Sequence, residues 1–103
     1  MKRALLLLVL CGATATSVLA ADESSLAKAK NCLACHTVEH KVVGPAYKDV
    51  AAKYRGQKGE ADKLAAKIMA GGSGAWGAVP MPANTQVNAA EAKRLAVWIL
   101  GLK

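Results

Sequence analysis

Phenylalanine is absent from this chain, and its aromatic residues are limited to Tyr47, Tyr54, Trp76 and Trp98. In a chain of 103 residues, so few large rings leave little with which to build a self-sufficient core. Domains of this size commonly lean on a metal, disulfides or a cofactor. Acidic residues are scarce too: seven Asp and Glu stand against fourteen Lys and Arg, a formal net charge of +7. No acidic or basic tail, no internal repeat and no strand-like alternation is visible.

The one long apolar run lies at the start. Lys2 and Arg3 precede "ALLLLVL" (4–10), and a small-residue stretch ends at "SVLA" (17–20), with Val18 and Ala20 where a signal peptidase reads. This is the layout of a secretory signal peptide over 1–20, with cleavage between Ala20 and Ala21 and a periplasmic product. A membrane anchor would need about 17 apolar residues, but Gly12, Thr14, Thr16 and Ser17 make the second half too polar. A lipid anchor on Cys11 is disfavoured by the bulky Leu10 before it. Cleavage removes two positive charges, so the domain at 21–103 carries a net +5. Export makes nucleic acid a poor explanation of that charge. It also makes free thiols at the two remaining cysteines, Cys32 and Cys35, hard to maintain.

Four helices are predicted within 21–103. The first covers 24–34, capped by Ser24 or Ser25, with Leu26, Ala29 and Leu33 on one face. The second covers 45–55, with Pro45 at its first position and Gly56 after its end. The third covers 60–70 and is stopped by Gly71 and Gly72. The fourth covers 89–100, with a capping-box pair at Asn88 and Glu91 and with Leu95, Trp98 and Ile99 facing inward. Between the last two lies "GGSGAWGAVPMPANTQVN" (71–88), a long loop of the sort that usually carries function.

Chemistry concentrates in "NCLACHTVEH" (31–40). Cys32 and Cys35 lie three apart and His36 follows at once, so on a helix all three share one side. Two thiols can add across the vinyl groups of a haem while the imidazole reaches the iron, which is why C-x-x-C-H is read as c-type haem attachment. A thioredoxin-like pair would need strands and crossover helices. A zinc site built from Cys32, Cys35, His36 and His40 would crowd four ligands into nine residues. A plain disulfide leaves His36 without a role.

Haem iron has a second axial position, for which His40, Met69 and Met81 are candidates. Met69 falls at helical spacing with Ala65 and beside Ile68, which suits core packing. His40 is too near His36 to reach the other haem face and is expected in solvent. Met81 stands in "VPMPAN" (79–84), where Pro80 and Pro82 restrict the backbone around it. Alone, such a methionine more often packs a core; beside C-x-x-C-H it is the expected distal ligand. A His/Met pair raises the haem potential, as a one-electron carrier requires.

With "CLACH", "VGPAYKDVA" and "VPMPAN" in view, the chain resembles a class I cytochrome c across nearly all of 24–103. It is similar to the short bacterial type that donates electrons to periplasmic nitrite reductase or terminal oxidases. The resemblance implies an all-α fold of four helices around one covalent haem, with the first and last helices crossed. It makes Cys32 and Cys35 the thioether cysteines, His36 the proximal ligand and Met81 the distal one. Pro45 would accept a hydrogen bond from the His36 imidazole. Asn84 would lie near the methionine sulfur, Trp76 would donate to a haem propionate, and Lys67 would sit near the propionates. Apart from the resemblance, Trp76 could be a core aromatic and Lys67 a solvated lysine; Trp98 is expected against the first helix.

The implied function is a soluble, monomeric one-electron shuttle, not an enzyme, without stable membrane insertion. Its partners would be redox proteins: nitrite reductase, a terminal oxidase or a membrane quinol–cytochrome c reductase. A haem enzyme or gas sensor would need an open iron position, and a metal-binding or dithiol module without haem would give no pyridine haemochrome spectrum.

Overall fold

Two left-handed backbone positions decide where the first and third helices stop. The computed structural model describes Gly12 and residues 21–103; the expected signal peptide and its cleavage point therefore fall outside the described residues, Gly12 and Ala21 apart. Helix α1 is Ser24–Ala29, shorter than the expected 24–34, because Asn31 adopts φ 63° and turns the chain into a separate 3₁₀ turn at Cys32–Ala34. Helix α3 (Glu60–Ala70) ends at Gly71, with φ 69°, a conformation that costs glycine no Cβ clash. Neither Ser24 nor Ser25 caps α1; Glu23 holds the cap position, and Asp22 Oδ1 instead accepts the Ser24 N–H at 2.8 Å.

Helix α2 (Tyr47–Tyr54) starts two residues later than Pro45 would suggest. Ala46 is extended, and the Asp49 and Val50 N–H groups bond to Ala46 rather than to Pro45. The Pro45 carbonyl is thus left out of the helix. The first N–H groups of α2, which have no partner inside a helix, find the carbonyls just after His36: Tyr47 N bonds to Thr37 O at 2.9 Å and Lys48 N to Val38 O at 3.1 Å.

The segment expected to be a structureless loop contains a short antiparallel ribbon. Strand β1 (Gly72–Gly74) pairs with β2 (Gly77–Met81), Gly72 opposite Met81 and Gly74 opposite Gly77, with an irregular step between. Ala75 and Trp76 form its turn. Nearly every ribbon residue is exposed. With glycine at 72, 74 and 77 and proline at 80, the strands are too short and too poor in side chains to leave a periodic signal.

Helix α4 (Ala89–Leu100) packs against α2 and α3. Leu95, Trp98 and Ile99 are buried as expected, together with Ala92 and Ala96. Ala27 of α1 joins this core at 0% exposure, whereas Leu33 is 40% exposed, so the buried face of α1 centres on an alanine. Trp98 sets its edge against Tyr47, with ring centroids 5.6 Å apart. The α1 end is also fastened to α4 by charge. Arg94 donates two bonds to Glu23 at 3.0 and 2.8 Å, and Lys30 pairs with Glu91 at 3.2 Å. No helix among the described residues is long and apolar enough to cross a membrane.

The capping box is formed: Glu91 N donates to Asn88 Oδ1 at 2.8 Å and Asn88 N donates to Glu91 Oε1 at 3.1 Å. The bond from the Asn88 backbone N–H, followed by the Lys30 ammonium, holds the Glu91 carboxyl below the ordinary carboxylate range. A carboxyl depressed in the folded state stabilises above its unfolded pKa, and that contribution fades as pH falls through its folded value. Wild type is therefore expected to be more stable than Glu91→Gln at pH 7. The gap should close on acidification, as read by denaturant titrations across the acid range.

Candidate cofactor site

Helices α2, α3 and α4, the Cys32–Ala34 turn and the ribbon enclose a cavity of about 400 Å³. Its apolar lining includes Val50, Ile68, Leu95 and Ile99, the cavity-facing side of the core. Cys32, Cys35, His36, Pro45, Lys67, Trp76, Met81 and Asn84, the residues singled out from the sequence, all line this one cavity. His40 and Met69 do not. His40 is exposed in a turn closed by Thr37, whose hydroxyl donates to His40 O at 2.7 Å and accepts from His40 N at 2.8 Å. Met69 is partly buried against the core.

His36 is held more completely than its motif announces. Its Nδ1 lies 2.8 Å from the Pro45 carbonyl oxygen. A carbonyl can only accept, so Nδ1 carries the proton and donates, and in the neutral ring the lone pair is then on Nε2. Tyr47 stacks on the ring, centroids 5.1 Å apart and planes 23° apart. Gly44 lies so close that a Cβ there would be 2.3 Å from His36 Cε1. The Gly44 N–H in turn donates to Cys35 O at 2.8 Å, which fixes the loop 37–44 beneath the motif. Sequence reasoning missed Gly44 and Tyr47 as positioning residues. Their signal was proximity, since Gly44 directly precedes the proline and Tyr47 follows it by two in "VGPAY" (43–47).

Cys32 and Cys35 are half-buried and not bridged to each other. Burial pushes the Cys32 thiol up, and burial also raises the neighbouring Tyr47 phenol, with Cys32 beside it adding to the rise. Among the described residues, no group of three or more His, Cys, Asp and Glu side chains is arranged to hold a bare metal ion. The zinc reading has no geometry behind it. Among the described residues, a two-strand ribbon beside four helices likewise lacks the strands and crossover helices of a thioredoxin-like fold.

Met81 closes strand β2 opposite Gly72, and its backbone passes within touching distance of Gly71, where a Cβ would be 2.4 Å from Met81 O. Asn84 Nδ2 donates to Ile68 O at 2.7 Å, and its Oδ1 accepts from Gln86 Nε2 at 3.1 Å. Those two partners fix the amide's orientation and leave its second N–H uncommitted. Trp76 stands at the ribbon turn, lines the cavity and is not part of the hydrophobic core. Lys67 lies directly under the ribbon: a Cβ on Gly72 would come within 2.6 Å of its Nζ.

An apolar cavity of this size presenting two thiols, one imidazole nitrogen with a free lone pair and one thioether suits a flat, largely apolar, metal-bearing ring. Fold and site together define a small helical haem protein of the electron-carrier class. The Cytochrome c family profile matches residues 21–103, and the chain belongs to that family. It is similar to cytochrome c-551 of Allochromatium vinosum, 61% identical over 77 residues that span 75% of this chain and 82% of the relative. It is similar as well to cytochrome c-552 of Nitrosomonas europaea, 58% identical over 81 residues, 79% of each chain. The crystal structure of wild-type Nitrosomonas europaea cytochrome c552 superposes with a TM-score of 0.75 at 59% identity, covering 77% of this chain and 98% of that one.

The chain is accordingly a monohaem cytochrome c that carries electrons, with covalently bound haem c, and is not an enzyme. The close approach at Gly44 gives a direct test of the imidazole's seating. Gly44→Ala is expected to push His36 off the Pro45 carbonyl and to cost about 1–3 kcal/mol, as overpacking does. Chemical denaturation of the holoprotein, compared with wild type, measures it.

Proposed function

We propose that this cytochrome c is a periplasmic shuttle whose haem is bonded to Cys32 and Cys35 and held axially by His36 and Met81. The convergence of those four side chains on one cavity carries the reading. When bound, the haem supplies an iron that takes up and gives back one electron. The protein's residues keep that exchange from becoming ligand chemistry. Pro45 holds the Nδ1 proton of His36, so Nε2 keeps its lone pair available and ring rotation is blocked. Tyr47 and Gly44 confine the same ring from its faces and edges.

Met81, set between Pro80 and Pro82, would fill the remaining axial position in both oxidation states and bar small ligands. The uncommitted N–H of Asn84 would steer the Met81 sulfur. Trp76 would offer its indole N–H, and Lys67 its ammonium, to the propionates. Little reorganisation on electron transfer follows from such a held ligand set.

The cavity rim supports the reading of partners as redox proteins with acidic faces. Val43 and Val79 line it and are 52% and 66% exposed, with Lys41, Lys63 and Lys67 among the lining residues. An exposed apolar edge amid lysines suits brief docking, with charge guiding approach. Nitrite reductase, a terminal oxidase and a membrane quinol–cytochrome c reductase are the candidate partners of a monomer exported after cleavage at Ala20. Electron-transfer rates with the natural partner are expected to fall as salt rises; a salt-independent rate would remove the steering role.

Replacing the distal sulfur tests the axial assignment. Met81→Ala is expected to lower the reduction potential and to let the reduced protein bind carbon monoxide at neutral pH. Met69→Ala should leave both unchanged and cost about 2 kcal/mol, the low end for a large-to-small change at a partly buried site. Exchanged behaviour of the two variants would overturn the assignment.

A further inference from the structure

The β1–β2 ribbon carries Met81 at one end and Trp76 at the other, yet it is exposed along almost its whole length. A two-stranded ribbon with glycine at 72, 74 and 77 has little stability of its own. Its base is well fastened, by the close passage of Gly71 and Met81 and by the Asn84 bond to Ile68. Its turn lies about 13 Å further out, four residues along a strand.

One side chain reaches both turn residues. Lys53, on α2, donates from Nζ to Ala75 O at 2.8 Å and places the same ammonium 4.5 Å from the centre of the Trp76 ring. Tyr54 completes the cluster: its ring meets Trp76 edge-on, 81° between planes and 6.5 Å between centroids, and the Lys53 ammonium is 5.5 Å from it. An ammonium is a donor to the carbonyl and a cation to the ring faces at once, a pairing that a neutral amide cannot reproduce.

We propose that Lys53 is a positioning residue that latches the turn of the ribbon to α2, and so keeps Trp76 over the cavity and Met81 on the iron. Lys53 itself does not line the cavity. The proposal rests on the reading of Met81 as the axial ligand, and its test separates the two.

The test uses ferric holoprotein with cyanide as the probe, since cyanide enters where the sulfur leaves. Two variants probe the latch, Lys53→Gln and Lys53→Arg; Glu23→Ala, which breaks the pair tying the start of α1 to Arg94 of α4, controls for general loss of stability. Lys53→Gln is expected to bind cyanide about tenfold to fiftyfold faster than wild type, the effect of losing an exposed cation–ring contact and weakening a charged hydrogen bond to a neutral one. Lys53→Arg should stay within about twofold of wild type, and Glu23→Ala should lower the unfolding midpoint without matching the Lys53→Gln rate. Amide exchange along Gly77–Met81 should be faster in Lys53→Gln alone.

The latch is overturned if Lys53→Gln binds cyanide at the wild-type rate, if the Arg variant is as fast as the Gln variant, or if Glu23→Ala accelerates binding equally. Absence of the near-infrared sulfur-to-iron band from wild type would instead sink the Met81 reading. The latch then stands or falls on whether exchange along the ribbon quickens in Lys53→Gln and not in Lys53→Arg.

Discussion

The hydrogen bond from His36 Nδ1 to the Pro45 carbonyl, 2.8 Å long, is the contact on which the rest of the structure depends. It requires a carbonyl that no helix is using, so α2 must begin after Ala46 and not at Pro45. It requires the ring to lie against backbone, so position 44 cannot carry a Cβ. It also requires the motif segment to double back on α2, and the Thr37 and Val38 carbonyls do this by bonding the first N–H groups of that helix. The helix start, the glycine and the returning loop all follow from the seating of one imidazole.

The opposite requirement governs the far side of the site. Where the imidazole is held by neighbours in sequence, the methionine is delivered by a glycine-rich ribbon with almost no core contact of its own. Its precision comes from a few attachments: the Gly71 passage, the Asn84 amide and the Lys53 grip on the turn. A cytochrome c with only four aromatic residues spends two of them, Tyr54 and Trp76, on the contact between ribbon and α2. Tyr47 and Trp98 serve the imidazole side in the same manner. The scarcity of large rings in the sequence is thus met by placing each one against the cofactor cavity or one contact from it.

The helices were legible because their signals are local and periodic. The Asn88–Glu91 box, the stop at Gly71 and the inward set Leu95, Trp98 and Ile99 needed no tertiary information. The boundary of α1 was not legible, since an asparagine at φ 63° leaves no mark in a run of helix-forming residues. Its buried face centred on Ala27 because α1 meets α4 where close packing suits a small residue, which hydrophobic spacing cannot anticipate. The ribbon escaped notice for a different reason: its strands are short, rich in glycine and interrupted by Pro80, so they carry no alternation to read. At the site, the residues named by motif and by family resemblance do share one cavity. Gly44, Tyr47 and Lys53 stand against His36 and Trp76, and only the folded geometry shows those contacts.

On the proposed ligation, Met81 and no other side chain faces His36 across the haem. Proton NMR of the reduced holoprotein with isotope-labelled methionine methyl groups tests it most directly, because a methyl seated over a porphyrin is shifted far upfield by the ring current. One such methyl, assigned to Met81, with the Met69 methyl in its ordinary range, is the predicted result. An upfield methyl belonging to Met69, or none at all, would contradict the claim.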